Sequence, residues 1–183
     1  MPSDKPYMKM GIFEIAKKRM PWLLLLMISA TLTGSVLTKF ENALLAYSVL
    51  LAYIPMLMGT GGNAGGQTSV TIIRGLSLNE IEFEDSFRVI WKEIRIAVVC
   101  GVILAGANFL KLLWFDKVGI LVAAVVCLTL VIVVLLAKVV GCVLPILAKK
   151  IGFDPAVMAS PFITTILDVL SLLVYFQMAS VLL

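Results

Sequence analysis

Five long apolar runs, separated by short connections, constrain this chain more than any other feature of its sequence. A single helix needs about 20 mostly apolar residues to cross the hydrocarbon core of a membrane. Each run reaches or approaches that length, and 61% of the 183 residues are hydrophobic. We therefore predict an all-α integral membrane protein with five transmembrane helices, within residues 21–38, 42–73, 94–113, 118–148 and 161–183.

The basic residues predict how the chain is oriented in the membrane. Lys and Arg cluster before the first run and between the second and third, and cytoplasmic connections carry such an excess. We therefore expect the N-terminus to be cytoplasmic and the C-terminus to lie outside. Because the net charge of +4 is explained by this orientation, we expect no nucleic acid partner. Membrane lipid is an expected partner.

The sequence divides into a short leading segment, residues 1–19, and a membrane domain, residues 20–183. Residues 8–19 place apolar side chains at helical spacing among basic ones, which is typical of an amphipathic helix on the cytoplasmic membrane surface. A positively charged tether accounts for the same residues equally well.

Residues 59–67 place five glycines, an Asn and a Gln inside the second run. Lipid cannot satisfy a loosened backbone, so such a segment persists at membrane depth only if protein covers it or it lines a wet cavity. With Pro55 just before it, we expect a broken second helix. We predict that the pore-lining residues of this helix are Thr60, Gly61, Gly62, Asn63, Gly65, Gln67 and Thr68.

The same glycines have a structural alternative. Gly61 and Gly65 are four residues apart, as are Gly62 and Gly66, and this spacing also allows two helices to pack closely. Close packing does not require the two amide side chains. A dinucleotide-binding fingerprint is excluded, because it needs a preceding strand and a βαβ unit.

The fourth run contains Gly141 and Pro145, so we expect this helix to be kinked. It also contains Lys138. We expect its ammonium group to extend toward the cytoplasmic surface, although a role in a charge relay is an alternative.

Asp168 is the one acidic residue well inside an apolar run. An uncompensated carboxylate there costs about 2.5–3.5 kcal/mol on insertion scales, so a cation, a partner or water should accompany it. Thr164 and Ser171 lie on the same helical face, four residues before and three after. We predict that this face binds a cation; a structural contact between helices is the alternative.

The ligand types narrow the choice of cation. The chain has no His, and its three Cys are scattered in apolar runs, so oxygen ligands remain. Oxygen ligands suit Mg²⁺ or Ca²⁺, and Mg²⁺ gives up its water most reluctantly. Because no nucleophile–base pair or catalytic carboxylate dyad is visible, we expect no enzyme activity.

Two segments of the sequence resemble a known family. Residues 55–76, with GGNAGGQ at 61–67 and IIRGL at 72–76, resemble the second transmembrane segment of the MgtE magnesium channels and transporters. Residues 154–176, with DPA, PFITT, DV and LLVYF in order, resemble the fifth. Residues 19–24 are similar to the start of the first.

The resemblance implies a homodimer with a pore on the dimer axis, lined by the second and fifth helices. By the same resemblance, Asp168 of each subunit and the backbone carbonyl of Thr164 would hold hydrated Mg²⁺, and Asn63 would line the cytoplasmic side. Ser171, next to Asp168 on its helical face, is expected to line the pore as well. A bacterial inner membrane is the expected location.

The family's cytosolic N-terminal and CBS regulatory domains have no counterpart here, since only about 19 residues precede the first run. We therefore expect no feedback by such domains within this chain, and a separate cytosolic regulator becomes an expected partner. Three functions stay open: a voltage-driven Mg²⁺ channel, a Na⁺- or H⁺-coupled Mg²⁺ exchanger, and a non-conducting membrane subunit that pairs with a regulatory protein.

Overall fold

The protein is a bundle of long helices. A computed structural model describes residues 8, 10–40, 48–153 and 155–183, with the backbone alone for 156–161. Short 3₁₀ helices at Ser48–Tyr53 and Phe83–Asp85 precede the second and third long helices. No β-strand occurs in these residues, so the all-α prediction is confirmed; the long helices are α1 (Ile12–Lys39), α2 (Ile54–Ser77), α3 (Ser86–Trp114), α4 (Ile120–Lys150) and α5 (Pro155–Leu182).

Four segments of the described chain are long and apolar enough to cross a membrane: α1, Phe83–Trp114, α4 and Phe162–Leu182. Helix α2 is not among them, because glycines and polar residues dilute its apolar character. A multi-pass membrane protein is thus supported, and α2 as a fifth transmembrane helix stays a prediction.

The second run is interrupted, as Pro55 predicts, but ahead of its glycines and not among them. Residues 59–67 lie inside the continuous helix α2. The interruption comes earlier, where the 3₁₀ helix ends at Tyr53 and α2 begins with Pro55 in its first turn. Proline is tolerated at that position because the first N–H groups of a helix have no intrahelical acceptor. Gly61 and Gly65 are packed tightly against α4 and α5, which favours the helical backbone at this segment.

Helix α4 is the centre of the bundle. Half of its most apolar segment is buried, against 6% for α1. Helices α2, α3 and α5 pack around α4, α2 also packs against α5, and α1 packs chiefly on α5. Helix α4 continues through Gly141 and Pro145 as one element. The kink predicted in it stays a prediction.

Helix α1 extends across the boundary predicted at residue 19. Residues 12–19 form its first two turns, and Ile12 and Phe13 there are 84% and 91% exposed. These residues are helical, but they continue into α1, and a separate amphipathic helix on the membrane surface stays a prediction. Residues 1–7 and 9 lie outside the described residues.

Candidate functional site

An open groove of about 800 Å³ lies between α2 and α5. It combines both segments that the sequence singled out. Its lining consists of one face of α2 and two side chains of α5: Met58, Gly59, Gly62, Asn63, Gly66, Gln67, Val70, Thr71, Thr164 and Asp168.

The α2 wall of the groove combines missing side chains with two amides. A methyl group added at Gly59 or Gly66 would meet nothing within 4 Å, so these glycines leave free space. At Gly62 the same group would lie 3.5 Å from Cγ2 of Thr164, which marks where α2 and α5 approach across the groove. Asn63 and Gln67 are both exposed. The wall therefore offers amide oxygens beside open volume.

The α5 wall contributes the carboxylate of Asp168 and, one turn earlier, Thr164. Both residues are partly exposed toward the groove. Among the described residues, no Lys or Arg forms an ion pair with Asp168. A carboxylate inside an apolar helix is costly unless a cation, a polar partner or water accompanies it.

One chain supplies few ligands to this groove. No cluster of three or more His, Cys, Asp or Glu occurs in the part of the chain that the structure describes. Asp168 is the single carboxylate in the lining. Such a donor set fits a cation that keeps most of its own water, as Mg²⁺ usually does.

Five of the residues predicted from the sequence come together here: Gly62, Asn63, Gln67, Thr164 and Asp168. The other five do not line the groove. Thr60 is partly exposed but is not part of the groove lining. The remaining four residues are buried in the interior of the bundle: Gly61, Gly65, Thr68 and Ser171.

Packing explains the position of the two inward glycines. A methyl group on Gly61 would lie 2.9 Å from Cγ1 of Val133 in α4 and 3.1 Å from Oγ of Ser171 in α5. One on Gly65 would lie 3.1 Å from the carbonyl oxygen of Ala137. Gly61 and Gly65 therefore form the close-packing face of α2, and Gly62 and Gly66 form the groove face. Of the two interpretations of the glycine spacing, close packing applies to the first pair and lining of the groove to the second.

The expectation for Lys138 is wrong. Its ammonium group lies 3.3 Å from Oε2 of Glu93 in α3, and both residues are 9% exposed. The nitrogen also donates a hydrogen bond of 3.1 Å to Oγ1 of Thr68. Lys138 is 12 residues before the end of α4, about 18 Å at 1.5 Å per residue, farther than its side chain can reach.

Glu93 is the residue that sequence reasoning missed. It stands between Lys92 and Arg95, where it resembles part of a charged membrane boundary. Its spacing contained a signal, because Ala97 and Gly101 follow at four-residue intervals and all three are buried on one face of α3.

Two tyrosines fix the segment that leads into α2. Tyr175 of α5 donates a hydrogen bond of 3.0 Å to the carbonyl of Leu50, and the hydroxyl of Tyr53 lies 3.1 Å from Oδ2 of Asp116. The ammonium of Lys111 lies 2.7 Å from the same oxygen. Its hydrogen bond lowers the pKa of Asp116. This contact joins the start of α2 to the connection between α3 and α4.

Comparison with known proteins agrees with the two segments that line the groove. A family model described as a divalent cation transporter, MgtE, matches residues 54–178. The magnesium transporter MgtE of Thermus thermophilus is 36% identical over 180 residues, covering 98% of this chain and 40% of that protein. Its namesake in Bacillus subtilis is 36% identical over 174 residues, 92% and 37% of the two chains.

A third magnesium transporter MgtE, from Enterococcus faecalis, is 31% identical over 167 residues, 91% of this chain and 37% of that protein. The chain therefore spans about 40% of the length of the curated relatives that it matches.

Proposed function

The chain belongs to the MgtE family of divalent cation transporters, and we propose that two copies of it form a pathway that carries Mg²⁺ across a membrane. The family consists of transporters rather than enzymes. The relatives are named magnesium transporters, which supports Mg²⁺ as the substrate.

The observation that carries the proposal is the Asp168 carboxylate, which lines a groove without a basic partner among the described residues. Lys138, the buried cation of the same bundle, is already paired with Glu93. The carboxylate is therefore available to attract a cation, and Thr164, Asn63 and Gln67 offer further oxygen atoms along the groove. Mg²⁺ would pass as a hydrated ion, held through its water by these groups.

A second copy of the chain would complete the pathway. The groove is open along one side in a single chain, and it contains one carboxylate. A twofold axis along the open side would place two Asp168 carboxylates across from each other and shield the amides from lipid. Two such charges match a divalent cation. In the proposed orientation the N-terminus lies in the cytoplasm of a bacterial cell.

The membrane potential can drive this transport. Moving one charge through 100 mV is worth about 2.3 kcal/mol, so a divalent ion gains about 4.6 kcal/mol. A negative interior therefore favours Mg²⁺ uptake with no other energy source. On this basis we propose a voltage-driven channel rather than a coupled exchanger.

The test is Mg²⁺ influx into proteoliposomes that contain the purified chain, with the voltage set by a K⁺ gradient. We expect influx to follow voltage with no Na⁺ or H⁺ gradient, and Asp168→Asn to reduce it at least about tenfold. Glu84→Gln, which removes an exposed carboxylate outside the groove, is the matched control and should leave influx unchanged.

Each outcome of this experiment has a distinct meaning. Influx that requires a Na⁺ or H⁺ gradient would establish the exchanger and contradict the channel. Influx that is equal for the wild type and Asp168→Asn would overturn the assignment of Asp168. A wild type that inserts and dimerises but never conducts would favour the non-conducting subunit.

A further inference from the structure

Three polar side chains from three helices meet in the interior of the bundle, away from the groove. The ammonium of Lys138 in α4 donates to Oγ1 of Thr68 in α2 at 3.1 Å and to Oε2 of Glu93 in α3 at 3.3 Å. The hydroxyl of Thr68 donates to the same Glu93 oxygen at 3.1 Å. The three contacts form a closed triangle, which we call the polar triad.

Stability alone does not explain a polar triad at this depth. Taking two charges out of water costs several kcal/mol per ion, and well-packed apolar side chains often stabilise a protein equally well. Buried ion pairs are best explained where they select one arrangement among several. A buried triad of this kind therefore indicates an arrangement of the helices that it selects.

Helix α2 is the helix whose rotation such a contact would fix. Its face toward α4 and α5 includes Gly61 and Gly65, which have no side chain to fix the rotation of the helix. Among the described residues, Thr68 is the single α2 side chain that hydrogen-bonds to another helix. Its partners lie on two different helices, so the contact fixes both rotation and height.

The rotation of α2 decides which residues face the groove. Successive residues of an α-helix are about 100° apart. Gln67 immediately precedes Thr68, and Asn63 is one turn earlier on the groove face. A turn of one residue position would therefore replace the amides in the groove by other α2 side chains.

We propose that Lys138 and Glu93, acting through Thr68, are positioning residues that hold α2 in the rotation at which Asn63 and Gln67 face the conduction pathway. The inference rests on the proposed function. It assigns the buried ion pair to the alignment of the pathway, and leaves the charged group that attracts the cation, Asp168, on α5.

The decisive test compares two substitutions of Thr68, each of which changes a single chemical group of its side chain. Thr68→Val removes the hydroxyl and leaves both charges paired, whereas Thr68→Ser keeps the hydroxyl. In the proteoliposome assay we expect Thr68→Val to lower the maximal Mg²⁺ flux about tenfold or more, because misplacement by 1 Å at a working site can cost a hundredfold. Thr68→Ser should remain within about threefold of the wild type.

A binding measurement separates alignment from general damage. The Mg²⁺ concentration that gives half-maximal thermal stabilisation reports binding to the folded protein. Because Asp168 and Thr164 belong to α5, we expect this concentration to change by less than about threefold in Thr68→Val. Asp168→Asn, by contrast, should abolish the stabilisation.

A double-mutant cycle tests whether Thr68 acts through the ion pair. In a background with Lys138→Met and Glu93→Gln, Thr68→Val should have little further effect, because coupled residues are not additive. Additive losses would mean that Thr68 acts at the pathway directly, and would overturn the proposal. Wild-type flux in Thr68→Val would overturn it as well, and that measurement does not depend on whether the neutralised background inserts.

The result is distinct from a failure of the proposed function. If the wild type conducts and Asp168→Asn does not, while Thr68→Val conducts normally, only the role of the triad is overturned. If the wild type itself does not conduct, the proposed function is overturned first.

Discussion

Gly141 of α4 lies directly against the backbone of Gly65 of α2, so closely that a methyl group on Gly141 would overlap the Gly65 carbonyl. This contact lets the two helices meet backbone to backbone. It also places the adjacent face of α2, with Gly62 and Gly66, toward the groove. The glycines of α2 therefore do two things: one pair admits a neighbouring helix, and the other leaves space in the groove.

We expect Gly65→Ala to destabilise the protein by about 1–3 kcal/mol, the usual cost of overpacking a tight interface. The added methyl group would overlap Leu167 Cδ1 of α5 and lie 3.0 Å from Cγ2 of Ile163. Thermal unfolding in detergent measures the change.

Gly59→Ala is the matched control, because a methyl group there meets nothing within 4 Å and alanine favours the same helix. Its melting temperature should equal or exceed that of the wild type. Equal destabilisation by both substitutions would contradict the division of α2 into two glycine faces.

Filling the groove should block transport without unfolding the protein. Gly66 lines the groove and has no neighbour within 4 Å of an added methyl group, so the Cβ of Gly66→Leu meets no clash and the rest of the side chain is expected to enter the groove. Its apolar side chain would occupy space that a hydrated ion needs, and we expect Mg²⁺ influx to fall about tenfold or more. Proteoliposome influx and thermal unfolding are measured on the same preparation.

The control for this substitution is Gly106→Leu in α3, where an added methyl group also meets nothing within 4 Å but which is not part of the groove. It should retain wild-type influx. Influx retained by Gly66→Leu as well would show that the ion does not pass along this face of α2.

The helices themselves could be predicted from the sequence, because the length of an apolar run reflects the thickness of a membrane. The rotation of α2 could not. Gly61 and Gly65 have the same spacing as Gly62 and Gly66, and only the position of Ile163, Leu167 and Gly141 shows which pair is buried. The interruption of the second run lies at Tyr53, next to Pro55, whereas Gly61 and Gly65 stay helical because packing outweighs the weak helix propensity of glycine.

The candidate site was predicted in part for similar reasons. Asp168 stood out because an isolated carboxylate in an apolar run is costly. The partner of Lys138 could not be identified from the sequence. Glu93 is 45 residues away and stands among basic residues at the end of an apolar run. Pairing across that distance depends on how α3 and α4 pack, which the sequence pattern does not determine.

The contact between Asp116, Lys111 and Tyr53 should make stability depend on pH in the acidic range. The hydrogen bond from Lys111 holds the pKa of Asp116 below its ordinary value of 3.8. A group with a lowered folded pKa stabilises the fold above its unfolded pKa, and this contribution is lost as the pH falls through the folded value.

Asp116→Asn should therefore lower the melting temperature at pH 6–7, and the difference from the wild type should shrink progressively as the pH falls below 3.8. Glu84→Gln, whose carboxylate is exposed and outside this contact, should show no such pattern. A difference that persists unchanged at pH 3 would mean that the asparagine acts through packing rather than charge.

The proposed dimer makes a prediction about which face of the chain meets its copy. A twofold axis along the groove brings each groove residue close to the same residue of the second copy. Val70 of α2 lines the groove and is 68% exposed, so Val70→Cys should form a disulfide-linked dimer under mild oxidation, in a background with Cys100→Ala. Ile103→Cys in α3, 66% exposed but outside the groove, should stay monomeric on a non-reducing gel.

Crosslinking of Ile103→Cys instead of Val70→Cys would place the dimer interface on α3. The groove would then face lipid, where the Asp168 carboxylate has no means of holding a hydrated cation.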